Sequence, residues 1–254
     1  MGDDVGFETI FAGNHMRALC FNPGGRNLRV RLNHRRKGDA GFDTPEPQTG
    51  AIKAGYANIW LQTAENDYYL NPDLPGMRRA LFAFCARFDQ VSAVGFSMGG
   101  FGAVLLSKAL HLTQAVLISP QRLGFSKVAP FISDDATECS AFSTGDAAEL
   151  DGVSPNLRGI VLFDPFAGKG RDRTYARHLG RVVPGLRLVA LPGGGHPATV
   201  MLGEAKKFGA FQRATFVPDI QLADLRAVHR SARAGSERYE KMLTQYLSGR
   251  ITRR

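Results

Sequence analysis

A serine flanked by glycines is the first feature of this sequence that could do chemistry. Gly95-Phe96-Ser97-Met98-Gly99 has the spacing G-x-S-x-G, in which the serine occupies a strained turn between a strand and a helix. The two glycines suit this turn because a side chain at either position would collide with it. Val91 to Val94, before the motif, favour a strand, and Gly100 to Leu110, after it, favour a helix. The pattern predicts a nucleophilic hydroxyl at the carboxyl edge of a sheet, above a helix N-terminus that stabilises developing negative charge.

A nucleophilic serine needs a base, and His196 is the best placed of the six histidines. It follows a predicted strand, Leu186 to Leu191, through the glycine-rich loop Pro192 to Gly195, and it precedes a helix. The alternative is a loop histidine that only caps this helix. The other five lie in or beside predicted helices or in the N-terminal segment: His15, His34, His111, His178 and His229.

The base in turn needs a carboxylate to orient it, and two aspartates are candidates. Asp164 ends the predicted strand Ile160 to Phe163, which puts it at the same sheet edge as the serine. Asp172 lies eight residues further on, where it also suits the N-cap of a predicted helix that runs to Leu179. We favour Asp164 and keep Asp172 as the alternative acid.

The order serine, aspartate, histidine resembles that of serine esterases in the α/β-hydrolase fold superfamily. The resemblance covers about Phe7 to Phe208, and it is carried by Gly95 to Gly99, Val161 to Pro165 and Leu191 to His196. It implies that Ser97 is the nucleophile and His196 the general base and acid, with the aspartate holding the imidazole tautomer.

The same resemblance implies an oxyanion hole with two backbone donors. One would be the N–H of Met98, and the other would come from the turn after an early strand. The turn Asn22 to Gly25 matches this description. Because its proline has no N–H, Gly24 or Gly25 would have to donate.

Strands and helices alternate along most of the chain, and the segment Val91 to Ser119 reads as a strand–helix–strand unit. We therefore predict an α/β fold: a doubly wound, mostly parallel sheet with helices on both faces, formed by residues 1–254 as one domain. Residues 121–158 are too long for a plain connection and predict a small lid. Residues 219–254 predict basic C-terminal helices. The predicted strands are Phe7 to Ala12, Met16 to Phe21, Ala57 to Leu61, Val91 to Phe96, Gln114 to Ser119, Gly159 to Phe163 and Leu186 to Leu191.

The composition limits the class of protein. With 44% hydrophobic residues the chain can bury a large core, and no run approaches the roughly 20 apolar residues of a membrane span. The three cysteines, Cys20, Cys85 and Cys139, fit neither a disulfide framework nor a zinc site, and the N-terminus shows no secretory signal. We expect a cytoplasmic protein without a metal or other cofactor.

The net charge of +9 is unevenly distributed. Arg26 to Lys37 contains six basic residues and no acidic one, which admits a role in binding an anion or a nucleic acid. No recognition helix or stacking platform accompanies these arginines, so we expect solvated faces and no nucleic-acid partner.

The favoured function is a serine hydrolase that cleaves a small-molecule carboxylic ester or thioester through an acyl-enzyme on Ser97. Tyr68 and Tyr69 follow a predicted strand at the same edge, where they either line the pocket or pack. A Ser-triad acyltransferase would use the same residues. The alternative from another class is a catalytically silent α/β-hydrolase fold that binds a ligand or a partner protein.

Overall fold

A mixed sheet lies at the centre of the molecule. In the computed structural model, which describes residues 6–36, 38, 40–122 and 152–251, its strands are β1 (Phe7–Ala12), β2 (Met16–Phe21), β3 (Asn27–Leu32), β4 (Ala57–Thr63), β5 (Gln90–Phe96), β6 (Gln114–Ile118), β7 (Arg158–Phe163) and β8 (Leu186–Ala190). The described strands lie in the order β1-β2-β4-β3-β5-β6-β7-β8. β2 pairs antiparallel with β1 and β4, whereas all pairs from β4 to β8 are parallel.

Helices cover both faces of this sheet, as the sequence predicts. They are α1 (Thr49–Lys53), α2 (Leu74–Cys85), α3 (Met98–Leu105), α4 (Arg171–Val182), α5 (Val200–Glu204), α6 (Phe208–Thr215), α7 (Leu222–Arg233) and α8 (Glu237–Ile251). Val161 and Phe163 of β7 pack into a core with α2, α3 and α4. Ile160 and Leu162 point to the opposite face, into a core with α5, α6 and α7. A strand buried on both faces must be apolar throughout, which explains its continuous hydrophobic run.

Strand β3 is the main element that the sequence-based prediction missed. Its apolar residues Leu28, Val30 and Leu32 are buried, while Arg29 and Arg31 alternate with them. Such alternation is typical of a strand with one apolar face. β3 lies between β4 and β5, so the backbone that follows it reaches the site next to Ser97.

The segment between β6 and β7 is described only at its two ends. Residues 123–151, with most of the predicted lid and its Phe125, Phe131 and Phe142, lie outside the described residues. On the return, Gly152 O accepts a hydrogen bond from Lys108 N at 2.9 Å, and Ser154 N donates to Ser107 Oγ at 2.8 Å. This end of the segment is therefore fastened to the turn that follows α3.

Helices α7 and α8 form the C-terminal part of the described chain, separated at Ala234 to Ser236. Tyr239 of α8 packs against the core that α5, α6 and α7 share. Among the described residues, no helix combines the length and the apolar character needed to cross a membrane.

Candidate active site

The turn between β5 and α3 has the strained geometry expected of a nucleophile elbow. Ser97 has φ 49° and ψ −116°, a backbone conformation that residues with a side chain rarely adopt. A Cβ atom at Gly95 would lie 2.4 Å from Gly99 O, and one at Gly99 would lie 2.8 Å from Asn33 O. Both glycines are therefore required by close backbone approaches, and the turn presents the Ser97 hydroxyl at the carboxyl end of β5.

The structure brings Ser97 and His196 together. His196 lies in the loop between β8 and α5, and its Nε2 atom is 3.1 Å from Ser97 Oγ. This distance suits a hydrogen bond in which the serine hydroxyl donates to a neutral imidazole. The arrangement can transfer the proton of Ser97 to His196.

The carboxylate next to His196 belongs to Asp172. His196 Nδ1 lies 3.0 Å from Asp172 Oδ2, and the Asp172 side chain is completely buried. A carboxylate can only accept, so Nδ1 carries the proton and Nε2 is left free to act as a base. Asp172 is in the first turn of α4, where the helix dipole stabilises its negative charge. The helix begins at Arg171 with Gly170 as its N-cap, so Asp172 does not cap it.

The preference for Asp164 as the orienting acid is corrected by these contacts. Asp164 Oδ1 accepts a hydrogen bond from Phe166 N at 3.0 Å, and its Oδ2 accepts one from Gly195 N at 2.9 Å. Its oxygens are therefore used to fold its own loop and to fasten the loop that carries His196. The chain after β7 turns through Ala167–Gly170 before α4 directs Asp172 back to the site.

The turn Asn22 to Gly25 lies at the wrong edge of the sheet to form an oxyanion hole. Because β2 runs antiparallel to β4, its last residue, Phe21, pairs with Asn58 at the start of β4. Asn22 Nδ2 also donates to Tyr56 O at 2.9 Å, just before that strand. Ser97 follows the opposite end of the parallel strands, a strand length of about 20 Å away. Gly24 and Gly25 are therefore not oxyanion donors.

The loop after β3 is the backbone that approaches the elbow from the neighbouring strand. β3 pairs with β5, and Asn33 O is close enough to exclude a side chain at Gly99. His34 follows Asn33 and is exposed. Its N–H is the candidate second oxyanion donor, which was missed because β3 was missed. The N–H of Met98, at the start of α3, stays the predicted first donor.

Tyr68 and Tyr69 are buried in the core of the described residues, which agrees with the packing alternative. Tyr69 is completely buried, and its hydroxyl lies 2.6 Å from Asn33 Oδ1 and 2.8 Å from Asn33 O. The ring of Tyr68, which is 5% exposed, contacts that of Phe101. Tyr69 thus holds the backbone at the end of β3, one residue before the candidate oxyanion donor.

Most of the basic stretch Arg26 to Lys37 is engaged within the protein. Arg26 pairs with Asp89 at 2.8 Å, and Arg36 pairs with Asp43 at 3.0 Å. The guanidinium of Arg29 lies 4.5 Å from the ring centroid of Tyr56 and 4.4 Å from the ring centroid of Phe216. The guanidinium of Arg31 lies 3.6 Å from the ring centroid of Trp60. These five contacts give four of the six basic side chains of the stretch a partner within the protein.

The described cysteines are poor nucleophiles. Cys20 and Cys85 are free and buried, and burial raises the pKa of Cys20 to about 11 and that of Cys85 to about 12. Both thiols are therefore protonated near neutral pH. Cys139 lies outside the described residues. No group of three or more metal-ligating side chains occurs in the described part of the chain.

Comparison with solved structures places this architecture among known folds. No protein-family model matches the sequence, and no curated protein matches it. The capsule O-acetyltransferase of Neisseria meningitidis serogroup A superposes with a TM-score of 0.52 at 13% identity, over 84% of this chain and 97% of that one. Est1E from Butyrivibrio proteoclasticus superposes with a TM-score of 0.50 at 15% identity, over 82% of this chain and 98% of that one. MGS-M1, an alpha/beta hydrolase enzyme from a deep-sea metagenome library, superposes with a TM-score of 0.49 at 16% identity, over 90% of this chain and 97% of that one.

The chain has the α/β-hydrolase fold. The mostly parallel eight-strand sheet of the described residues, its helices on both faces and the two likenesses with TM-scores of 0.50 and 0.52 agree on this assignment. The function within that fold must be argued from the site, because one fold hosts many activities.

Proposed function

We propose that the protein is a serine hydrolase that cleaves a carboxylic ester or thioester through an acyl-enzyme on Ser97. The observation that supports it is the continuous chain of contacts from Ser97 Oγ to His196 Nε2 at 3.1 Å and from His196 Nδ1 to Asp172 Oδ2 at 3.0 Å. A nucleophile, a base and an orienting acid in this geometry are the parts that acyl transfer requires.

The first half of the reaction forms the acyl-enzyme. Ser97 Oγ attacks the carbonyl carbon while its proton passes to His196 Nε2, and the carbonyl electrons move onto the oxygen. The N–H groups of Met98 and His34 stabilise this oxyanion. As the tetrahedral intermediate collapses, the bond to the leaving group breaks, and His196 returns the proton to the departing alkoxide or thiolate.

The second half releases the acid. His196 takes a proton from a water molecule, whose oxygen attacks the acyl carbon. The ester bond to Ser97 then breaks, and Oγ recovers its proton from the imidazolium. The buried Asp172 carboxylate lies next to Nδ1, where its negative charge stabilises the imidazolium.

Acyl transfer to an alcohol is the second candidate, and one comparison favours it. A capsule O-acetyltransferase is among the structural neighbours with a TM-score above 0.5. The same acyl-enzyme would then be attacked by an acceptor hydroxyl instead of water. His196 would serve as the base for either nucleophile.

Turnover of nitrophenyl esters and matching thioesters, from acetyl to octanoyl, tests the proposal. We expect a burst of nitrophenolate that matches the enzyme concentration, followed by steady turnover, and loss of both in Ser97→Ala. An added alcohol that yields a new ester instead of the acid would indicate the transferase. Folded wild-type protein that releases no product from any of these substrates would contradict the proposal and favour the silent fold.

A further inference from the structure

The residues that follow β6 contact all three segments that carry the candidate triad. Gln121 N donates to Ser97 O at 3.2 Å, and the Gln121 side chain reaches Asp172 Oδ1 at 2.8 Å. Two residues earlier, Ser119 Oγ accepts a hydrogen bond from Ala198 N at 2.9 Å, just beyond His196. The sequence analysis placed Ser119 in a predicted strand and Gln121 at the start of the predicted lid, and it gave neither residue a role in the site.

The orientation of the Gln121 amide follows from hydrogen-bond chemistry. An ionised carboxylate only accepts, so the atom facing Asp172 Oδ1 must be the amide nitrogen and not its oxygen. The same nitrogen lies 3.4 Å from His196 Nδ1. That ring atom already donates its proton to Asp172, so this second approach is a close packing contact and not a competing hydrogen bond.

We propose that Gln121 is a positioning residue for the candidate triad, which holds the Asp172 carboxylate in the orientation that His196 needs. The proposal rests on the function proposed above. Asp172 is completely buried and has one oxygen directed at His196, so its other oxygen requires a protein donor. Gln121 supplies that donor. Because its backbone is tied to Ser97, it also couples the position of the acid to that of the nucleophile.

Loss of the Gln121 amide has two expected consequences. The Asp172 carboxylate gains rotational freedom, which misaligns the imidazole and lowers kcat without changing the binding of the substrate. The donor also stabilises the negatively charged Asp172–His196 couple, so its removal raises the proton affinity of that couple. The acid limb of the pH profile should then move to higher pH.

Gln121→Met tests this proposal, because it removes the donor and keeps an unbranched side chain. We expect kcat to fall about tenfold at unchanged KM, and the acid limb of kcat/KM to shift upward. Gln114→Met is the matched control, since Gln114 lies at the other end of β6 and donates to Val217 O and Pro218 O. It should leave both quantities unchanged. Gln121→Asn, whose amide is too short to reach Asp172, is the second variant, and it replaces Gln121→Met if that protein folds poorly. It should show the same fall in kcat and the same shift of the acid limb.

NMR titration of the His196 imidazole separates this proposal from the proposed function. The charged side chains of Asp164 and Arg238, which lie near the loop that carries His196, are present in every variant. A higher pKa of His196 in Gln121→Met than in the wild type supports the positioning role, even in a protein without turnover. If both Gln121 variants keep the wild-type kcat, pH profile and His196 titration, the positioning role of Gln121 is overturned. The proposed hydrolase function would then still stand.

Discussion

At the scale of single residues, two aspartates help to position His196, each through a different contact. Asp172 contacts the imidazole, whereas Asp164 binds the backbone N–H of Gly195, the residue before it. The first contact sets the tautomer of the ring, and the second sets the position of its loop. Substitution of the two carboxylates should therefore have different consequences.

Asp172→Asn should lower kcat by about a thousandfold or more, because the amide no longer fixes the Nδ1–H tautomer. Asp164→Asn should lower the free energy of unfolding by about 1–2 kcal/mol, since one of two backbone N–H groups loses its charged acceptor, while kcat falls far less. Ester turnover and thermal unfolding of both variants check this. Equal losses of kcat would show that the roles are not divided in this way.

At the scale of elements, the turn from β5 to α3 depends on glycine at its start. Gly95→Ala places a Cβ atom 2.4 Å from Gly99 O and 2.7 Å from Gly100 Cα, both of which are backbone atoms. We expect a loss of about 3 kcal/mol in the free energy of unfolding. Urea unfolding followed by circular dichroism measures it.

Gly203→Ala is the matched control for the glycine prediction. Gly203 lies in α5, where a new Cβ atom meets nothing within 4 Å. Its helix should gain up to about 1 kcal/mol. A Gly95→Ala variant as stable as Gly203→Ala would show that the turn is looser than described.

The position of the candidate oxyanion turn depends on the strand that precedes it, which is β3. His34→Pro removes the backbone N–H after β3 and should lower kcat by about a hundredfold. His34→Ala keeps that N–H, and Gly24→Ala changes only the far edge of the sheet, so both should keep nearly full kcat. Steady-state kinetics on one nitrophenyl ester compares the three. Activity lost in Gly24→Ala but kept in His34→Pro would reverse the assignment.

The elements with strong local patterns could be predicted from the sequence. Phe7–Ala12 and Met16–Phe21 were predicted with the bounds that the structure has, because apolar and β-prone residues flank a turn. Ser97 and His196 followed from a local motif and from a loop after a strand. β3 was missed because the alternation of apolar residues with arginines in Asn27–Leu32 was interpreted only as a cluster of positive charge. As a result, the oxyanion turn was predicted after β2 and not after β3.

Contacts between distant residues could not be predicted in the same way. The choice between Asp164 and Asp172 depends on how the chain turns after β7, which no local pattern records. Gln121 belongs to no sequence motif, since its contacts with Ser97 and Asp172 arise only where β6, α3 and α4 converge.

At the scale of the whole molecule, the loop that carries His196 is held from both sides of the fold. Asp164 and Ser119 fasten it from β7 and β6, and His229 of α7 donates to Pro192 O at 3.2 Å at its start. His229 is 4% exposed, and burial, with a smaller effect of Arg233, lowers its pKa from 6.5 to about 4. Global stability and the position of the base are therefore linked.

The stability of the protein should decrease as the pH falls from 6.5 towards 4. In this range the unfolded chain binds a proton at His229 that the folded protein does not, so the free energy of unfolding falls by up to about 3 kcal/mol. His229→Gln keeps a donor for Pro192 O and does not titrate, so it should lose less stability over this range. Thermal unfolding across the pH series measures the difference, and parallel curves would contradict the prediction.

Labelling with a fluorophosphonate probe tests whether Ser97 is the nucleophile of an acyl-enzyme. The measurement is the intact mass of the labelled protein, followed by peptide mapping, with Ser97→Ala and His196→Ala alongside. We expect one adduct per chain, on the peptide that carries Ser97, and no adduct in either variant. Folded wild-type protein that stays unlabelled, or that carries the label elsewhere, would contradict it.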